Sequence, residues 1–186
     1  MILVNGCSFT RGEESPVAWP DFVPDTLNIA VSGASNEYIF VTTISQIEQK
    51  RPDQVIIAWT SPNRVHLSGR HLTPSSHKRY GDIVDQVFKD WDQDWAKKQF
   101  IAQVLAMDAY LSAKEIPHVF ISTFDIQRLV NRDDLHLDCY LGWPDQGLVE
   151  WMGDCEKGPY GHPLTVGHQR IAEKINEHIR HLGWIP

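Results

Sequence analysis

Cysteine is scarce in this chain: Cys7, Cys139 and Cys155 are its three residues, with no C-x-x-C among them. An odd, widely spaced set argues against a disulfide framework and fits a reducing compartment. Basic charge is also short. Lys and Arg total 17 against 24 Asp and Glu, for a formal net charge of -7. With no basic stripe, neither nucleic acid nor an anionic membrane is an expected partner. No apolar run approaches the roughly 18–20 residues of a membrane span. Met1 leads directly into an apolar segment with no charged leader region, so the expected location is cytoplasmic. Repeats and low-complexity tracts are missing too, and 186 residues read as a single domain, 1–186.

What is present is ordinary core material in an alternating order. Hydrophobic residues make up 42% of the chain, enough for a core that needs no staple. Ile2 to Asn5 reads as a strand, and Thr26 to Val31 as a second. Ser35 is placed to cap a helix that starts at Glu37, carries Ile39, Thr43, Ile44 and Ile47 on one face, and stops at Pro52. Val55 to Trp59 is a near-continuous apolar run, as in strands covered on both faces. Residues 68–90 are polar and read as a long loop or insertion, a possible lid. Trp91 to Lys114 is the longest expected helix, His118 to Ser122 a fourth strand, and Asp125 to Val130 a short helix inside an irregular acidic stretch. Thr165 to Leu182 is the last helix, closed by Gly183. Strands alternating with helix-length connections imply an α/β domain with a parallel sheet covered on both faces.

Parallel strands end on one side, so the turns after them share a rim, where open α/β sheets bind ligands. The stretch Asn5-Gly6-Cys7-Ser8-Phe9-Thr10-Arg11-Gly12 breaks the first strand sharply and leaves Ser8 just past its end. Alone, that is either a Gly-Ser turn or a held nucleophile. Gly33, Asn63 and the segment Gly161-His162-Pro163 reach the same rim. A serine hydroxyl needs a base beside it, and histidine takes and returns a proton near neutral pH.

Ser, Gly, Asn and His in that chain order resemble the SGNH hydrolases, the GDSL-type esterases and lipases. Gly6-Cys7-Ser8-Phe9-Thr10 is similar to the first block, with Cys7 where aspartate is usual. Asn28 to Ser35 is similar to the second block, with its glycine at Gly33. Thr60-Ser61-Pro62-Asn63-Arg64 stands where the third block falls, without an intact Gly-x-Asn-Asp. His162-Pro163-Leu164-Thr165-Val166-Gly167-His168 resembles the fifth block. The resemblance implies a three-layer αβα sandwich, flavodoxin-like, that hydrolyses an ester through an acyl-enzyme, with Ser8 as nucleophile and His162 as base. It implies an oxyanion hole from the N–H groups of Ser8 and Gly33 and the side chain of Asn63. No metal or cofactor is implied.

One departure concerns the acid. The family position three residues before the histidine is Pro159, which cannot orient an imidazole. Asp154, Glu156 or a backbone carbonyl are the alternatives, as is a Ser-His dyad; Asp154 is the expectation taken here. Asn63 is either an oxyanion donor or a turn residue. Trp143 and Trp151, in the Gly-rich loop before His162, are expected to wall the substrate, and Arg64 to meet an acidic group on it. His168 reads as structural. A zinc site of Cys139, Cys155, His162 and His168 matches no common ligand spacing. Gly6 to Gly12 lacks the Gly-Lys-Ser/Thr of a phosphate loop. A small ester or an acetylated carbohydrate is the expected substrate. The competing readings are a non-catalytic binding or assembly module on the same fold, and an acyltransferase.

Overall fold

The computed structural model describes residues 1–186 apart from 125, 127–129, 131 and 136. Strand β1 (Ile2–Asn5) is buried along its whole length. It is flanked in parallel by β2 (Thr26–Asn28), with Leu3 opposite Leu27, and by β3 (Gln54–Trp59), with Leu3 opposite Val55. A separate antiparallel hairpin follows, β4 (Val65–Leu67) and β5 (Arg70–Leu72). Strand β6 (His118–Ser122) lies parallel to β3, and β7 (Tyr140–Leu141) parallel to β6. The main sheet thus has five parallel strands in the order β2-β1-β3-β6-β7.

Helices α1 (Ser8–Arg11), α2 (Asn36–Lys50), α3 (His77–Tyr80), α4 (Asp82–Phe88), α5 (Gln93–Ala113), α6 (Leu148–Met152) and α7 (Thr165–His181) complete the chain. Apolar strands such as β3 bury on both faces because helices cover both, and Val55, Ile56, Ile57, Ala58 and Trp59 are fully buried. On α7, Ile171, Ile175 and Ile179 recur every four residues and are all fully buried. Truncating one of them to alanine costs about 2–5 kcal/mol. Ser35 caps α2 by accepting the Tyr38 N–H at 3.2 Å, as its position before the periodic stretch implies. The result is a three-layer α/β sandwich.

The sequence reading departs from this in several places. The second strand stops at Asn28 rather than Val31, although Ile29 N–H still reaches Val4 O at 2.9 Å. Residues 68–90 are not loop: they complete the hairpin and carry α3 and α4. Each of these pieces is short and polar; α4 buries only Val84, so no periodic stripe announces it. The fifth strand, β7, was not expected, since two residues leave no alternation to read. The expected helix over Asp125 to Val130 lies largely outside the described residues. All three cysteines are free, and no helix among the described residues is long and apolar enough to cross a membrane.

Candidate active site

The end of β1 is fixed by Asn5. Its carboxamide donates to Ile39 O, Thr42 Oγ1 and Thr43 Oγ1 on α2, at 3.1, 3.0 and 2.9 Å, and accepts the Gly6 N–H at 2.8 Å. That anchors the turn from which Ser8 emerges as the opening residue of α1. Ser8 is largely buried. Cys7 beside it is a core residue, its thiol 3.8 Å from Thr123 Oγ1.

The exit of β2 is laced to this turn. Val31 N–H donates to Gly6 O at 3.2 Å, Asn28 Nδ2 to Thr10 O at 2.9 Å, and the Ser32 hydroxyl to Glu13 Oε2. Gly33 therefore sits at the same rim, in left-handed backbone (φ +76) that a side chain tolerates poorly. A Cβ there would stand 3.1 Å from His71 Cβ of the hairpin. Among the described residues, the N–H groups of Ser8 and Gly33 have no hydrogen-bond partner. Such unpaired backbone donors are uncommon in folded proteins.

His162 arrives on the loop before α7. That loop closes on itself: Gly158 N–H donates to His162 O at 2.9 Å, and Gly161 N–H to Gly158 O at 2.9 Å. The imidazole packs beside Phe9, with ring centroids 5.2 Å apart. Its Nδ1 lies 2.8 Å from Glu14 Oε2. The same carboxylate accepts the Tyr160 N–H at 2.9 Å and the His162 N–H at 3.2 Å. Burial pushes the Glu14 carboxyl up, but the Tyr160 N–H and then the His162 ring and N–H pull it below its ordinary value. Glu14 has left-handed backbone (φ +66), a strained state for a residue with a Cβ, of the kind that collects at functional sites. The fit is close. A Cβ on Gly158 would fall 2.6 Å from Glu14 Cδ.

The carboxylate beside His162 is not the expected Asp154. Asp154 is fully exposed and its nearest cation is Arg170, at 3.3 Å, whereas the carboxylate on His162 belongs to Glu14. Asp154 lies near His162 in sequence, but its side chain meets Arg170 of α7 instead. The sequence reading did not name Glu14; the one local signal for it is that Glu13-Glu14 closely follows the serine turn. Among the described residues no hydrogen bond joins Ser8 Oγ to the imidazole. With Nδ1 on Glu14, Nε2 is the nitrogen left to face the serine.

Asn63 follows β3. Its Oδ1 accepts the indole N–H of Trp91 at 2.9 Å, which turns the Nδ2 donor the other way. The Arg64 guanidinium lies 5.1 Å over the Phe124 ring; Phe124 meets Phe9 edge-on at 5.3 Å. Arg64 thus stands two rings from His162, and its Nη1 is buried without a partner among the described residues. Burial, then the charges of His66 and Arg64, hold His71 below the ordinary histidine value. Beside Asn63 and Arg64 a cleft of about 480 Å³ runs between α2 and α5, lined by Trp91, Trp95, Gln99 and Gln103.

Trp143 follows β7, and Trp151 lies on α6. Trp143 stacks on Tyr140 at 5.1 Å. Trp151 donates to Gln146 Oε1 at 3.1 Å and lines a cleft with Lys174, His178 and His181 of α7. His181 is roughly 24 Å along the helix axis from Thr165 at 1.5 Å per residue. Trp151 is thus drawn to the C-terminal part of α7, whereas His162 precedes its first residue. His168 is fully buried; its Nδ1 accepts the Trp19 N–H at 3.1 Å, and burial above all pushes its pKa down to about 4.

The sheet order and the flanking helices are those of the SGNH-hydrolase fold. A crystal structure of TesA superposes over 97% of this chain and 98% of its own, with a TM-score of 0.52 and 11% identity. A GDSL-like lipase from Bacteroides thetaiotaomicron aligns over 97% of this chain and 88% of its own, at 14% identity and a TM-score of 0.40. No family model matches the sequence. No curated protein matches it either. The likeness is one of fold.

Proposed function

We propose that this chain is a serine hydrolase that cleaves an ester through an acyl-enzyme, with Ser8 as nucleophile, His162 as base and Glu14 as the acid that orients the imidazole. The observation that carries this reading is the 2.8 Å contact between His162 Nδ1 and Glu14 Oε2, at the rim where Ser8 opens α1. A carboxylate on Nδ1 fixes the tautomer whose Nε2 accepts the serine proton and stabilises the imidazolium that follows. Ser8 Oγ attacks the carbonyl, and His162 takes its proton and returns it to the leaving alcohol. Water, activated by the same imidazole, then releases the acid. The unpartnered N–H groups of Ser8 and Gly33, with Asn63 Nδ2, are suited to receive the oxyanion.

The substrate is a small ester or an acetylated carbohydrate. The cleft beside Asn63 suits the latter, since two indoles offer flat apolar faces and two glutamines offer amides. Arg64 is the cation assigned to a polar or acidic substituent, and the hairpin over Gly33 forms the opposite wall. An acyltransferase would use the same groups with an alcohol in place of water.

The test is a fluorophosphonate probe read by intact mass, beside turnover of p-nitrophenyl acetate. One adduct and measurable turnover are expected, both lost in Ser8→Ala. No adduct and no turnover would overturn the proposal in favour of a binding module on the same fold.

A further inference from the structure

We propose that Asp108, His118 and Cys139 form a site for a divalent transition metal, of the kind that takes zinc, which ties α5 to the outer edge of the sheet. The three residues come from three elements. Asp108 lies on α5, His118 opens β6, and Cys139 immediately precedes β7. Their side chains nonetheless converge. Asp108 Oδ1 is 3.0 Å from His118 Nε2, the Cys139 thiol donates to the same oxygen at 3.4 Å, and all three ligand atoms lie within 4.8 Å of one another. Tetrahedral zinc, with bonds of about 2.0–2.3 Å, sets neighbouring ligands about 3.4–3.6 Å apart. Asp108 and Cys139 already stand at that spacing, and Asp108 and His118 need part by only a few tenths of an ångström.

The histidine is oriented as a ligand would be. Its Nδ1 lies 2.9 Å from Ile116 O, a carbonyl that can only accept, so Nδ1 carries the proton. A neutral ring then turns the Nε2 lone pair toward a carboxylate oxygen, acceptor against acceptor. A shared proton relieves one such pair, while a dication at the centre satisfies all three atoms. A backbone carbonyl on the second nitrogen is also the usual support of a metal-bound imidazole. Cys139 is fixed in place as well, because its carbonyl accepts the Phe120 N–H at 2.8 Å.

The donor set selects the ion. One thiolate, one imidazole and one carboxylate suit zinc; magnesium and calcium call for oxygen throughout. Binding exchanges the thiol proton for the metal, and water completes the coordination. His118 stands at the amino end of β6, whereas Ser8, Gly33 and Asn63 follow the carboxyl ends of their strands. The ion is therefore structural, and the inference stands apart from the hydrolase reading. Its role is to hold β7, a strand of two residues joined to the sheet by one neighbour.

The test uses the full chain, stripped with chelator and titrated with cobalt. A thiolate-to-metal band in the near ultraviolet should saturate at one equivalent, disappear on adding zinc, and be absent in Cys139→Ser but present in Cys7→Ser and Cys155→Ser. Asp108→Asn should weaken cobalt binding by about tenfold or more. Zinc should raise the melting temperature of the wild type and shield Cys139 from iodoacetamide, read by peptide mass, which needs no variant to fold. No band, no thermal shift and no shielding would reduce the cluster to an ordinary His118–Asp108 ion pair. A band that survives in Cys139→Ser would place the metal on another thiol and overturn the site.

Discussion

Glu14 Oε2 and His162 Nδ1 stand 2.8 Å apart although 148 positions separate the two residues in the chain. In the proposed mechanism the nucleophile and the acid thus lie six residues apart in the chain, and only the base is brought from the far end. Glu14→Gln keeps the shape but removes the charge that favours the imidazolium. It should lower kcat by roughly a hundred- to ten-thousandfold with little change in KM. Asp154→Ala, at a side chain exposed to solvent, should stay within about twofold, since isolated surface ion pairs contribute little. Equal, small effects of both variants would leave a dyad.

The same carboxylate sets an acid limit on stability. Its folded pKa is below its ordinary value of 4.5, so the unfolded chain binds a proton that the folded one refuses. The stabilisation is complete above 4.5, and is lost as pH falls through the lower folded value. In urea titrations, wild type and Glu14→Gln should differ near neutrality and converge in acid. A constant offset at all pH values would count against this.

His168 works over a higher window. The folded ring is neutral down to about 4, against an ordinary value of 6.5. Its stabilisation is present above 6.5 and is lost as pH falls from there toward about 4, by at most about 3 kcal/mol at 1.36 kcal/mol per unit. His168→Asn leaves an acceptor near the Trp19 N–H and should flatten this part of the stability profile, as measured by denaturant midpoints across the window.

Gly158→Ala tests the fit of the loop. Its Cβ would fall 2.6 Å from Glu14 Cδ, so the carboxylate must move away from His162. Misplacement on the scale of an ångström costs about a hundredfold in rate. The variant should stay folded by circular dichroism and lose activity about as Glu14→Ala does. Near-normal activity would show that the loop yields elsewhere.

Asn63 is read through its neighbour. Asn63→Ala should cost about 2.7–4 kcal/mol of barrier, the usual effect of one missing oxyanion donor. Trp91→Phe removes the N–H that holds Asn63 Oδ1 at 2.9 Å, together with part of the indole face, and should lose less, chiefly in kcat. A Trp91→Phe defect as large as that of Asn63→Ala would assign the loss to the cleft instead.

Much of the fold was legible because its signals are local. The apolar run of β3 and the cap at Ser35 need no knowledge of the rest of the chain. That Ser8 and Gly33 would reach one rim was legible because strand ends in a parallel sheet share one side. Glu14 was hidden for a physical reason: its partner lies across the molecule, and its pointing depends on a left-handed backbone at a residue type that rarely adopts one. Strand β7 and the hairpin were hidden because a few paired residues carry no periodicity. Trp151 shows the converse, since a residue near His162 in sequence lines a cleft with the far end of α7.

The hairpin turn at Ser68-Gly69 is exposed, and it falls between the segment that holds Ser8 and Glu14 and the one that holds His162. Severing the backbone there would put hydroxyl and carboxylate on one fragment and imidazole on the other, each inert alone. On the proposed reading, hydrolysis would return only when the halves find one another, which would make this chain a starting point for a two-part sensor of proximity.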